Sequence, residues 1–376
     1  MSSSSSSAVI DVVVDLTAPG QQGSDCSRKR EHHYLAPQTL HRLCIHASDV
    51  ATIAGYNSFA NPCDLFDKYI YQDCEYLRDI DAQELGLQLV TKEEEVERVL
   101  GGLSSGNEIK EILQLKAGNK RAKVAGEIAA AIQATIDESS RKHEVSSAQD
   151  LVVLNSIVSA TYKDFGTANE RNVIDLYEER MGATVQRLDK LLTIAVYADE
   201  CVSCVDAPPV TRPDEPLFLI VGRLDGVSTQ GEEQVVLEVK NRIRTVFHTP
   251  PLRDLIQLVV YLKMVGGQVG HLVQCVYDPD SSAAPAVDGF DIYALDLRKE
   301  RFHTEEFDRS IVPRLREFSS AVLGIRADDG ARSEWLRQDE RYRLAVVMSS
   351  CDFLEDAVQC CEERLTKLER KAAGSP

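Results

Sequence analysis

Two segments constrain this chain more than any others: Val221-Gly222-Arg223-Leu224-Asp225-Gly226, then Val236-Leu237-Glu238-Val239-Lys240. The second reads as a strand, where alternate side chains take opposite faces. Glu238 and Lys240 therefore project together, while Leu237 and Val239 point the other way into a core. Two charges on one face of an otherwise apolar strand destabilise a fold unless something compensates them. A metal ion would do so. Asp225 follows a strand predicted over 217–221, and a hairpin through a loop at 228–233 brings it beside Glu238. Two carboxylates there make a hard oxygen site suited to Mg2+ or Mn2+, which keep several waters and bind substrate phosphate. The main-chain carbonyl of Val239 would add another oxygen.

Such a site suits phosphodiester hydrolysis. A bound divalent cation supplies Lewis acidity toward a phosphoryl oxygen and a water of lowered pKa. Lys240 would hold the nucleophile or offset charge growing on the phosphate. An apolar helix predicted over Leu252–Val265 carries Gln257 and Tyr261 four residues apart, hence on one face. Beyond it, strands are predicted over 272–277 and 289–295. Strands interspersed with helices give an α/β domain.

The rest of the chain divides around this region. Residues 1–36, with a serine run and few apolar residues, read as a disordered tail. One island interrupts it, Val9-Ile10-Asp11-Val12-Val13-Val14-Asp15-Leu16-Thr17. It resembles a SUMO-interacting motif, which adds a strand to SUMO; docking on this protein's own sheet is the alternative. If SUMO is the partner, the host is eukaryotic or a virus of one, which is compatible with a nuclear site. Residues 37–74 form an N-terminal helical part, with helices predicted over 47–54 and 62–71. A charge-rich helical insertion spans 75–160 and the α/β core 161–325, which opens on a helix over 165–182. A helical extension, 326–376, includes one long helix over 334–370. No apolar run approaches the ~18–20 residues needed to cross a bilayer, which excludes a helical membrane span. Ten cysteines without a secretory signal point to a reducing intracellular compartment. Cys201 and Cys204 are a lone C-x-x-C that completes no zinc site.

Taken in order, Asp225, Glu238-x-Lys240 and Gln257-x-x-x-Tyr261 resemble the PD-(D/E)XK nuclease core with the Q-x-x-x-Y helix of its RecB and lambda-exonuclease branches. Gly166-Thr167-Ala168-Asn169-Glu170 is similar to the G-x-x-x-E helix of YqaJ-type viral recombinases and phage lambda exonuclease, and His46-Ala47-Ser48-Asp49-Val50 to their T-A-S opening. The resemblance spans residues 42–296 and implies a restriction-endonuclease-like fold, with a central mixed sheet flanked by helices. It implies that Glu170 joins Asp225, Glu238 and Val239 at the metal, and that Ser48 and Arg42 contact a DNA phosphate. The activity implied is a 5′–3′ exonuclease on linear double-stranded DNA ends, serving recombination or repair. The chain departs from the pattern in three places. His46 replaces the threonine, Arg42 sits one residue nearer the serine, and residues 75–160 are additional. The addition could cap a DNA channel, bind a partner or mediate homo-oligomerisation, and it puts the relatives' ring-shaped trimer in question. Cys351, Cys360 and Cys361 lack the spacing of the superfamily's iron–sulfur members.

A net charge of -18 speaks against nucleic acid only if charge is uniform. Lys240, Arg242, Arg244, His248 and Arg253 put basic residues beside the expected site, and Arg242 and Arg244 join the expected phosphate contacts. The expectation is a narrow basic channel on an acidic body, with a second basic cluster at Lys116, Lys120, Arg121 and Lys123. The alternative is a catalytically inactive protein with the nuclease fold that recruits partners through its tail and helical insertion.

Overall fold

The computed structural model describes residues 10–13, 42–115, 122–142, 148–188, 190–197, 216–231, 233–242, 245–277, 287–300 and 305–372. The chain is α/β, with helices packed on two mixed sheets. Strands β1 (Ile10–Val13), β2 (Leu43–His46), β3 (Val185–Gln186), β4 (Leu192–Val196) and β5 (Phe218–Gly222) are followed by β6 (Gly226–Gln230), β7 (Glu233–Arg242), β8 (Val269–Tyr277) and β9 (Val287–Asp296). One sheet has the order β1-β4-β5-β2 and the other β3-β6-β7-β8-β9. The chain crosses between them at 223–225, which places Asp225 at the junction.

The second sheet owes its form to β7 and β8. They are parallel, with Glu238 opposite Leu272 and Lys240 opposite Gln274. Parallel neighbours require a crossover, supplied by helix α8 (Leu252–Val265). That helix is apolar almost throughout and stops at Gly266, whose φ of 64° closes it with a left-handed cap. The even positions of β7, including Val236, face α8. Leu237 and Val239 face the other way and pack with Val273, Cys275 and Tyr277 under helix α7 (Ala148–Met181) through Phe165, Val173, Ile174 and Tyr177.

Helix α7 is 34 residues long. It runs unbroken through 160–161, where the sequence suggested a boundary, because no proline interrupts it there and the Ser159 and Thr161 hydroxyls donate back to the Asn155 and Ile157 carbonyls instead of capping. Its first half belongs to a bundle with α4 (Lys92–Gly101), α5 (Gly106–Leu115) and α6 (Ala122–Arg141). Val99, Leu100, Ile109, Ile132, Ile136, Leu151 and Leu154 give that bundle a core separate from the sheets. Before it come α1 (Ala47–Ile53), α2 (Pro62–Ile70) and α3 (Glu75–Leu85).

The C-terminal region differs most from expectation. The long helix over 334–370 is three shorter ones: α10 (Asp329–Arg337), α11 (Glu340–Ser350) and α12 (Glu355–Ala372), preceded by α9 (Val312–Ala327). Asp339 causes the first break, its carboxylate accepting the Tyr342 N–H at 2.9 Å as an N-cap. The helices are not an appendage. Trp335, Leu344, Val347 and Leu354 are buried in the same core as β5 and α8. Trp335 stacks on Phe66 at 5.5 Å and donates its indole N–H to Asp67 at 2.6 Å.

Strands β2, β3, β4 and β6 are not among those that the sequence predicts. Within the tail, Ile10–Val13 pairs antiparallel with β4, Ile10 opposite Val196, so this run extends the protein's own sheet. Val9 and residues 14–17 lie outside the described residues, as do Cys201, Cys204, Arg244, Lys116, Lys120 and Arg121. No helix among the described residues is long and apolar enough to cross a membrane.

Candidate active site

The β6–β7 hairpin sets Gly226 opposite Leu237, which brings the preceding residue, Asp225, level with Glu238. Asp225 Oδ2 accepts the Val239 N–H at 2.7 Å, fixing the carboxylate across the strand. The hairpin is tighter than the expected 228–233 loop: Ser228 is a buried strand residue, and the turn falls at Gly231, where φ is +66°.

On β7, Glu238 is 3% exposed and Lys240 Nζ lies 2.6 Å from its Oε1. Lys240 also donates to Gln257 Oε1 at 2.9 Å, and Gln257 Nε2 donates to the Tyr261 hydroxyl at 3.1 Å. The two residue pairs expected on a strand and a helix thus form one chain, Glu238–Lys240–Gln257–Tyr261. Because Tyr261 Oη accepts from Gln257, its proton is free for another acceptor. Burial, then the negative charge of Glu238, push the phenol well above its usual range, so it stays protonated.

Glu170 reaches the same place from α7. Burial raises its pKa, and the nearby Glu238 raises it further. Burial lifts Asp225 to about 6, opposed by the Val239 hydrogen bond and reinforced by Glu170. Glu238 is held well above the carboxylate range by burial, against the pull of Lys240. Burial works against the Lys240 ammonium, yet Glu238 more than offsets it and the net shift is upward. Glu238 Oε2 is buried with no hydrogen-bond partner. Three carboxylates that suppress each other's ionisation, one with an orphaned oxygen, fit a bound cation. Among the described residues, no group of three or more His, Cys, Asp or Glu side chains is placed to hold a metal ion. The set suits an ion that takes one or two carboxylates, a backbone carbonyl such as that of Val239, and water.

The expected phosphate contacts fare differently. Ser48 is exposed in the first turn of α1, and Arg42 is exposed just before β2. Both are open to solvent. A Cβ added at Gly222 would lie 2.8 Å from Tyr261 Cε1 and 2.9 Å from Ala47 Cβ, so only glycine lets α1 and the Tyr261 ring meet over the end of β5. Gly222→Ala is expected to destabilise the protein by about 1–3 kcal/mol through overpacking; an unchanged urea midpoint would refute that.

Arg242 is not a free basic contact. Its guanidinium lies 2.5 Å from Asp254 Oδ2, donates to Gln274 Oε1 at 3.1 Å, and sits over the Phe247 ring. Arg253 also faces Asp254, at 3.8 Å. The basic cluster is therefore narrower than the sequence suggested, because α8 brings a carboxylate into it. That pairing was legible in principle. Arg242 continues the face of Glu238 and Lys240, and Asp254 lies three residues before Gln257 on α8.

Arg187 was not anticipated. It follows β3, where Gln186 pairs with Val227, so it falls opposite Gly226 and beside Asp225. Its charge pulls down the pKa of both Glu170 and Asp225. No motif marks it; only the pairing of the two-residue strand β3 brings it there.

No family model and no curated protein matches this chain. Among solved structures it is similar to the crystal structure of SSO0001, at 15% identity and a TM-score of 0.22, over 41% of this chain and 67% of that one. A likeness that slight carries no argument.

Proposed function

We propose that this chain has a restriction-endonuclease-like, PD-(D/E)XK core and is a metal-dependent deoxyribonuclease acting 5′–3′ on the ends of linear double-stranded DNA. The observation that carries the reading is the convergence of Glu170, Asp225, Glu238, Lys240, Gln257 and Tyr261 around the orphaned Glu238 Oε2. From the set Asp225, Glu238, Glu170 and the Val239 carbonyl, one or two carboxylates with the carbonyl and water would hold Mg2+ or Mn2+, which supplies Lewis acidity toward the phosphate and a more acidic water. The protein's own groups do the remainder. Lys240 has three N–H donors and uses two, on Glu238 and Gln257; the third can meet phosphate oxygen or the attacking water where charge develops. Tyr261 offers its hydroxyl proton from the same side, and Gln257 fixes both. Exposed Ser48 and Arg42 would take a neighbouring backbone phosphate.

The test uses end-labelled linear and covalently closed circular duplexes, with and without Mg2+. The expected result is Mg2+-dependent release of nucleotides from linear DNA alone, abolished by Lys240→Ala. Cleavage of closed circles would make the protein an endonuclease, and Mg2+-dependent activity that survives Lys240→Ala would remove the catalytic assignment. One observation favours the second reading, an inactive interaction protein: no complete carboxylate cage exists among the described residues. On that reading Mg2+ leaves the melting temperature unchanged.

A further inference from the structure

We propose that Asn241 is a positioning residue for Glu170, gripping the helix turn that carries this carboxylate into the site; the inference rests on the nuclease reading above. Asn241 follows Lys240 on β7, so its side chain takes the opposite face, toward α7. Its Nδ2 donates to the main-chain carbonyl of Gly166 at 2.7 Å. In an α-helix the carbonyl of residue 166 is the acceptor for the N–H of residue 170. The Asn241 amide and the Glu170 backbone therefore share one oxygen. The helix lies close against the strand here: a Cβ built at Gly166 would stand 4.0 Å from Asn241 Cβ, with nothing nearer.

A second observation concerns the other end of the amide. Asn241 Oδ1 is buried and has no partner. A half-satisfied buried amide stabilises a fold less well than an apolar side chain of similar shape. Stability alone would favour leucine at this position, so the residue is explained by what its donor holds. Neighbouring Asn169 makes a superficially similar bond, to the Phe165 carbonyl at 2.9 Å within the helix, while its own main-chain carbonyl accepts from Tyr277 on β8 at 3.3 Å. Through Asn241, one strand organises the whole acidic set: Glu238 on one face, the Val239 N–H on Asp225, and the Glu170 turn on the other face.

The experiment compares full-length wild type with Asn241→Leu, which keeps the shape and loses the donor, and with Asn241→Ala in case leucine is poorly accommodated. Three quantities are measured: the Mg2+ concentration giving half the maximal melting shift, kcat and KM on linear duplex, and amide hydrogen exchange at Glu170. Loss of an outer partner of a metal ligand is expected to raise half-saturating Mg2+ and lower kcat, each by about 10–100-fold. KM for DNA stays at the wild-type value, and the Glu170 amide exchanges faster. A lower melting temperature with wild-type Mg2+ response, kcat and Glu170 exchange would make Asn241 merely structural and overturn the proposal. If wild type shows neither a Mg2+-dependent shift nor cleavage, the nuclease reading fails. Exchange at Glu170 would then still decide whether Asn241 holds that turn, with wild-type exchange in both variants overturning it.

Discussion

Asp225→Asn is expected to abolish Mg2+-dependent hydrolysis while making the metal-free protein more stable than wild type. The two effects share one cause. Asp225 is held across β7 by the Val239 N–H at 2.7 Å, and an asparagine oxygen can accept the same bond. What the substitution removes is a charge that burial disfavours and that Glu170 opposes, which together lift the carboxyl to about 6. An acid whose folded pKa is raised stabilises the fold fully below its unfolded pKa, and that stability is lost as pH rises through the folded value. Asparagine therefore gains nothing below the unfolded value of 3.8; its advantage builds as pH rises from there to about 6 and is level above it. At pH 8 the gain is about 2–3 kcal/mol. With Mg2+ the order inverts, because binding to the native state stabilises wild type and not the variant. Melting temperatures for both proteins, at pH 5 and pH 8 and with and without Mg2+, check this. A variant that is less stable than wild type at pH 8 without metal would show that Asp225 is structural.

The same residues explain how much of the molecule is legible in its sequence. Helix α8 has the expected bounds because a largely apolar run meets a glycine that caps it. The alternation around Glu238 and Lys240 places both faces of β7 correctly, since a buried strand tolerates charge only where something answers it. What fails is anything decided by distant partners. Leu43–His46 is a strand because Phe218–Gly222 lies beside it, and four residues carry too little pattern to announce that. The break at Asp339 is a local capping signal masked by the charge-rich helical composition around it. Arg242 looks like a phosphate contact until α8 turns Asp254 toward it. Within the site, motif spacing brings out Glu238, Lys240, Gln257 and Tyr261. Arg187 and Asn241 depend on a two-residue strand and on a side chain reaching across to another element.

Distant partners also set the largest stability effect, which falls far from the site. Asp81 on α3 is 1% exposed and Arg332 on α10 is 5% exposed; the guanidinium donates to both Asp81 oxygens, at 3.0 and 3.2 Å. Tyr71 donates to the same carboxylate at 3.2 Å, while Arg332 also reaches the Arg326 carbonyl at 2.6 Å and Asp329 at 2.6 Å. The pair thus ties the helix after the N-terminal part to the C-terminal helices, two regions that look peripheral in the sequence. Asp81→Ala removes the buried counter-charge of a buried guanidinium, leaving it only the solvent-exposed Asp329, and is expected to cost about 3–5 kcal/mol, read as a lowered urea midpoint. Replacing both partners by apolar residues, Asp81→Leu with Arg332→Met, removes the charge as well as the bond and is expected to cost far less than the single change. If the single change costs under about 1 kcal/mol, as an exposed pair would, α10 is not anchored through this contact. If the double variant is as unstable as the single one, packing rather than the stranded charge is what joins these helices to the core.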